Sequence, residues 1–394
     1  MTSLSKFLAG KPLYYREIDY SRMPRVWKRI SAQFTLPKII HIIGTNGKGS
    51  TGRFLAHYLW RSGRRTGHYT SPHILRFNER IWIDGKDIED QKLESAHQKL
   101  GQILTSKEAA ALSYFEYTTL LAVVAFEGLE YVVMEAGLGG EYDATAVFPK
   151  ELTLVTSIGF DHQAFLGETI EAIARTKLMA VQKFAILGRQ PSNRVYKMAK
   201  KVSREKGVEF FRVEHFYTRE ESIEAEATVA KMGLPDVFAN NLLLAMAGAK
   251  FFGFEIDFSK IEDLRLFGRV QKIAPHITID VGHNPMAARA LRAFYLAQKK
   301  QVTLLYNSYE DKDYKNILTI LKPIVQKVEI LPIYGERVVS EEELIHAIEA
   351  VGLLWERFEK IDENRDYLIF GSFAVVERFL EIYGQQQERD SEKK

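Results

Sequence analysis

The chain has 394 residues, 46% of them hydrophobic and 27% charged, which suits two domains with packed cores and excludes wholesale disorder. A net charge of +3 is small for that length and argues against nucleic acid as a bulk partner, and the lack of cysteine excludes disulfides, cysteine-ligated zinc and thiol catalysis. Met1–Lys11 has no apolar signal core and no run reaches membrane-spanning length, so a soluble cytoplasmic protein with no membrane partner is expected.

Residues 1–38 carry mixed helical patterns. Val26, Trp27 and Ile30 make a short apolar face, and Met23-Pro24 marks its start. Arg22, Arg25, Lys28 and Arg29 beside it read as a solvated basic face, with an anionic-substrate site as the alternative. Ile39-Ile40-His41-Ile42-Ile43 is a buried-strand pattern, and Phe54, Leu55, Tyr58 and Leu59 set a helix that starts near Ser50. Between them lies Gly44-Thr45-Asn46-Gly47-Lys48-Gly49-Ser50. Strand, glycine-rich turn with a lysine, then helix is a phosphate-cradling arrangement. Lys48 would meet the terminal phosphates, and the hydroxyl of Ser50 or Thr51 suits Mg²⁺. The run departs from the general G-x-x-x-x-G-K-[ST] spacing, since Gly49 separates Lys48 from Ser50.

Thr70-Ser71-Pro72-His73 and Phe77-Asn78-Glu79-Arg80-Ile81 form a polar ordered loop in which His73 reads as structural. Residues 88–112 look helical, interrupted at Gly101. Tyr131–Met134 is a short buried strand that ends on Glu135 and a glycine-rich turn. Ligands of open α/β sheets collect at the carboxyl ends of strands, so Glu135 is a natural Mg²⁺ ligand. Leu152–Thr156 is a further strand and runs into Asp161-His162. Glu135 and His162 together suit a divalent ion. A helix over 169–181 carries Arg175 and Lys177, and Phe184–Leu187 is the next strand. Residues 207–232 read as a small antiparallel or irregular edge piece, and 240–252 as a core helix.

The pattern restarts near Phe267-Gly268-Arg269. Strands over 276–281, 302–306, 328–331 and 367–370 alternate with helices over 286–297, 314–321, 340–351 and 373–383, which predicts a second, smaller parallel α/β domain. The polar tail from Gln385 is expected to fray. The residues alone leave two function classes open: an ATP-driven transferase or ligase, and a nucleotide-dependent switch that hydrolyses slowly.

Gly44–Ser50 resembles the phosphate loop of the folylpolyglutamate synthase/dihydrofolate synthase family, within the Mur ligase superfamily. Ser71-Pro72-His73 with Phe77–Ile81, Glu135–Gly140 with Asp143-Ala144-Thr145, and Ser157–His162 with Leu166–Ile170 resemble its further signatures. Gly268-Arg269, Asp280 with Gly282-His283-Asn284-Pro285, Asp311-Lys312-Asp313 and Gly371-Ser372 extend the resemblance through the second domain. It implies a Mur-ligase-like N-terminal domain over 1–267, with a phosphate loop and parallel central sheet. A smaller Rossmann-like α/β domain over 268–394 would follow. It also implies a monomeric ATP-dependent ligase that joins L-glutamate to dihydropteroate, and to tetrahydrofolate, through an acyl phosphate.

The implied ATP contacts are Gly44, Thr45, Asn46, Gly47, Lys48, Gly49, Ser50 and Thr51, with Asn241, Arg269, Asp280 and His283. One Mg²⁺ is implied near Ser50 and Glu135, and a second near Glu135 and His162 with Ser71 contributing. Lys177 lies where the family has a lysine that becomes carbamylated. Lys48, Glu135, His162 and Lys177 form the implied catalytic set. Glu141-Tyr142 stands where the family has Arg after Gly-Leu-Gly-Gly, and Ala146 where Asn follows Asp-Ala-Thr.

Overall fold

The structure, a computed structural model, describes residues 3–11, 19–161 and 163–392. They form two compact units, Met1–Ala225 with Asn240–Leu264, and Glu226–Ala239 with Arg265–Lys394. The sequence pattern drew a single cut at 267/268. The units divide three residues earlier, and the second also takes in Glu226–Ala239.

The first unit is built on eight strands: β1 (Lys38–Ile43), β2 (Thr66–Tyr69), β3 (Ile81–Ile83), β4 (Lys86–Asp87), β5 (Tyr131–Glu135), β6 (Leu152–Val155), β7 (Phe184–Leu187) and β8 (Glu209–Arg212). They lie in the order β4-β3-β2-β5-β1-β6-β7-β8. The run from β2 to β8 is parallel, and β3 and β4 add an antiparallel edge. The central strands are buried on both faces, which is why they read as continuous apolar runs.

One face of this sheet is covered by two apolar clusters. Helices Arg22–Ile30, Asp90–Ile103 and Tyr114–Ala125 feed the first, and helices Ile170–Leu178 and Asn193–Lys206 the second. Helix Lys48–Arg61 packs on the other face against β5 and β2. Helix Val237–Phe251 joins it there, with Gly248 set close to Leu154 and Leu55. Burial of these faces contributes about 25 cal/mol per Å² of apolar area.

The second unit carries β9 (Gln271–Ala274), β10 (Ile277–Ile279), β11 (Val302–Tyr306), β12 (Val325–Ile330), β13 (Leu354–Arg357) and β14 (Tyr367–Phe370). Their order is β13-β12-β11-β14-β10-β9, parallel except for β9.

Several expectations need correction. Gly101 lies inside helix Asp90–Ile103; the break follows at 104–105, where Thr105 caps helix Ser106–Ala111. Residues 207–232 are not an antiparallel piece: they hold the parallel edge strand β8 and helix Arg219–Lys231. The polar tail continues helix Phe373–Glu392 instead of fraying at Gln385. The basic face near the N-terminus is not merely solvated. Arg22 Nε donates to Glu116 at 2.7 Å, Arg25 pairs with Asp19 at 3.0 Å, and Arg29 Nε donates to Glu108 at 2.6 Å.

Candidate active site

Three neighbouring strands end together. In register, Ile42 of β1 faces Glu135 of β5, and Ile43 faces Val155 of β6. The glycine-rich turn therefore leaves the sheet centre with the Glu135 carboxylate on one flank and Thr156-Ser157 on the other.

The turn needs its glycines. Gly44 has φ +146° and Gly47 φ +85°. A Cβ at Gly44 would lie 1.9 Å from Thr156 Oγ1, and one at Gly47 would lie 2.5 Å from Asn241 Oδ1. Thr45 N–H and Asn46 N–H both donate to Ser157 O, at 2.9 and 3.2 Å, so these two amides strap the turn to β6. The first helical bond is Thr51 N–H to Gly47 O at 2.9 Å. The amides of Lys48, Gly49 and Ser50 thus have no intrahelical acceptor, and they sit at the positive end of the helix. The helix begins at Lys48, two residues before the sequence-based start.

Lys48 Nζ lies 3.4 Å from Thr45 O and 3.9 Å from Glu135 Oε1. Thr70 Oγ1 donates to the other carboxylate oxygen, Oε2. Thr70 escaped the sequence reading, although it immediately precedes Ser71. The buried Thr51 hydroxyl has no partner among the described residues, and Ser50 beside it is also buried.

Lys177 is buried, and its Nζ donates to Leu138 O at 3.0 Å. Burial, and then the charge of Lys48, push its pKa down to about 7. Gly140 lets the turn lie on this helix, since a Cβ there would fall 2.4 Å from Lys177 O. Glu141 N–H donates to Thr176 O at 3.0 Å, and the Glu141 charge acts on Arg175 and Lys206. The sign change at Glu141 is thus met by cations of the neighbouring helices. At the other departure, Ala146 O accepts from Lys150 Nζ at 2.8 Å.

His162 lies outside the described residues. Neighbouring Asp161 acts electrostatically on Lys177. His73 is structural: its Nδ1 accepts from Arg80 Nε at 2.7 Å.

In the second unit, Asp280 Oδ2 accepts from Val270 N–H at 3.0 Å and Oδ1 from Gly282 N–H at 2.7 Å. Val270 has φ +43°, a strained value for a β-branched residue, and the carboxylate holds it there. Burial raises the Asp280 pKa, against the opposing charge of Arg269. Arg269 lies 5.4 Å over the Phe373 ring, and the His283 ring is 6.4 Å from the same ring. In this structure Asp280 braces the turn that presents Arg269.

These residues fit a magnesium nucleotide. The turn tightened at Gly44 and Gly47, the first-turn amides and Lys48 suit polyphosphate. The Ser50, Ser71 and Glu135 oxygens are hard donors of the kind Mg²⁺ takes. Among the described residues no three His, Asp or Glu converge, so the phosphates would supply much of the coordination.

Fold and site together define a phosphate-loop α/β protein of the Mur ligase type. No family model matches the chain. It is 31% identical to the dihydrofolate synthase/folylpolyglutamate synthase of Escherichia coli, over 93% of this chain and 91% of that protein. It superposes on the Helicobacter pylori folylpolyglutamate synthetase crystal structure with a TM-score of 0.79 at 36% identity, covering 97% and 98% of the two chains. A bifunctional folylpolyglutamate synthase/dihydrofolate synthase solved with Mn, AMPPNP and L-glutamate gives a TM-score of 0.81 at 26% identity, covering 98% of each chain. The chain belongs to the dihydrofolate synthase/folylpolyglutamate synthase family.

Among the described residues no helix is long and apolar enough to cross a membrane.

Proposed function

We propose that this chain is a cytoplasmic ATP-dependent ligase that joins L-glutamate to dihydropteroate, and adds glutamates to tetrahydrofolate. The observation that carries the reading is the meeting of Lys48 and Glu135, at 3.9 Å, beside a turn with no room for a Cβ at Gly44 or Gly47. Identity of 31% to an enzyme of that name over nearly the whole chain supports it.

The first step transfers the γ-phosphoryl group of ATP to a substrate carboxylate. Lys48 and the amides of Lys48, Gly49 and Ser50 hold charge on the moving group. Thr70 and Lys48 fix the two oxygens of Glu135, so this carboxylate is oriented before substrate arrives. Ser50, Ser71, Glu135 and His162 would hold Mg²⁺, which would supply screening of the repulsion between phosphate and carboxylate. The glutamate amine then attacks the acyl phosphate carbon, an amide bond forms and phosphate leaves. Arg269 donates to nucleotide phosphate, with Asp280 and His283 beside it, and Asn241 backs Gly47 on the nucleotide side. We assign residues 1–267 to ATP binding and 268–394 to the glutamate-ligase half.

Lys177 is the residue we assign to carbamylation. With a pKa of about 7, much of its amine is neutral at physiological pH. The neutral amine attacks CO₂: an N–C bond forms as one C–O π bond opens, one proton leaves to solvent, and the neutral side chain becomes an anion that would assist the second metal site.

Phosphate release from ATP tests the function in four reactions: no acceptor, glutamate alone, glutamate with dihydropteroate, and glutamate with tetrahydrofolate. Release in both pterin reactions is expected. Release that ignores the pterin overturns the ligase reading.

A further inference from the structure

Five groups from three separate segments, His41, 138–145 and Lys177, form one hydrogen-bonded line at the glycine-rich turn 137–143. His41 projects from β1, three residues before Gly44, and is fully buried. Its Nε2 lies 2.7 Å from Thr145 Oγ1, and its Nδ1 has no partner among the described residues. Thr145 Oγ1 donates to Asp143 Oδ1 at 2.5 Å, and Thr145 N–H donates to the same oxygen at 2.9 Å. Asp143 Oδ2 accepts from Leu138 N–H at 3.2 Å, and Leu138 O accepts from Lys177 Nζ at 3.0 Å.

The direction of each bond follows from the groups. A carboxylate only accepts, so the Thr145 proton points to Asp143 and the Thr145 oxygen must accept from His41 Nε2–H. Burial first, and then the Lys150 charge, hold His41 well below the ordinary imidazole pKa, so the ring is neutral, and the bond to Thr145 fixes its Nε2–H tautomer. The line therefore cannot reverse. It pins the turn between Leu138 and Asp143, and the Leu138 carbonyl of that turn accepts from Lys177 Nζ.

We propose that His41, Thr145 and Asp143 are positioning residues for Lys177: they hold the Leu138 carbonyl where it orients the Lys177 nitrogen for addition to CO₂. The inference rests on the carbamylation assigned above. A neutral amine carries two N–H bonds and a carbamate nitrogen one. Leu138 O can thus accept from Lys177 Nζ before and after the addition, and only the other N–H proton is lost. The line also ties Lys177 to the strand that launches the phosphate loop, so the loop and the lysine share one rigid support.

Thr145→Val removes the hydroxyl while keeping the shape, and Thr145→Ser restores it. The full chain would be loaded with ¹³C-bicarbonate and followed by carbon NMR, alongside the bicarbonate needed for half-maximal turnover in CO₂-stripped buffer. Wild-type protein should show one carbamate resonance that Lys177→Ala abolishes. Thr145→Val should weaken that resonance and raise the bicarbonate requirement about tenfold, with the ATP KM changed little, and Thr145→Ser should return both toward wild type. A merely structural hydroxyl would lower the unfolding midpoint without moving either readout.

A resonance and bicarbonate requirement unchanged in Thr145→Val overturn the proposal. So does a wild-type protein that turns over pterin without any carbamate signal. Turnover that ignores pterin sinks the ligase reading itself, separately from this one.

Discussion

Lys48 Nζ and Glu135 Oε1 stand 3.9 Å apart, one on the first residue of the helix after β1 and the other on the last residue of β5, with side chains 15% and 6% exposed. The pair places a positive and a negative group together at the carboxyl end of the sheet. Glu135→Ala leaves Thr70 without its acceptor and Lys48 without its counter-charge. Mg²⁺-dependent phosphate release should fall by more than tenfold, which is roughly 1.4 kcal/mol in barrier. Survival within tenfold would remove Glu135 from the principal metal ligands. Lys48→Ala should cost about 10²–10³ in turnover, the usual loss for one donor to transition-state charge.

The phosphate turn should not tolerate a methyl group. Gly47→Ala meets Asn241 Oδ1 at 2.5 Å and holds alanine at φ +85°. The backbone term alone is about 1–2 kcal/mol. Affinity for a non-hydrolysable ATP analogue, read by calorimetry, should drop at least tenfold. Adding Asn241→Ala opens the space but leaves the backbone strain, so it should restore only part of the loss. Full restoration would show that sterics alone fix the turn.

What the sequence carried, and what it did not, follows from the range of the contacts. The ends of β1 and β5 were legible because β-branched runs stop abruptly at Gly44 and Glu135. Strand β8, Glu-Phe-Phe-Arg, and strand β13, Leu-Trp-Glu-Arg, were not, since short edge strands with charged ends lack a buried-strand signature. Thr70 on Glu135 and His41 on Thr145 span 65 and 104 residues, and no local pattern announces such pairs. The acids that pair with the N-terminal arginines were hidden for the same reason.

Arg22 and Glu116 test that last point. Their side chains are 14% and 10% exposed, and they join helix Arg22–Ile30 to helix Tyr114–Ala125. Arg22→Met should lower stability by about 2 kcal/mol in urea unfolding, the usual worth of a hydrogen bond to a charged group. The KM for dihydropteroate should stay within about twofold. A large rise in KM with unchanged stability would instead favour an anionic-substrate site on this face.

Lys177 should leave a pH signature on stability. Its folded pKa of about 7 lies below the ordinary lysine value of 10.5. Between those values the unfolded chain binds more protons, so stability rises with pH, at up to roughly 1.4 kcal/mol per unit for one such group. The penalty is fully present below about pH 7 and fades as pH climbs toward 10.5. Lys177→Met removes the penalty and should be more stable than wild type. In CO₂-free buffer its advantage should be largest and flat below pH 7, and should shrink steadily from pH 7 to pH 10. Urea unfolding at pH 6, 7, 8 and 9 measures it. An advantage that does not change with pH would mean that Lys177 keeps its ordinary protonation in the folded state.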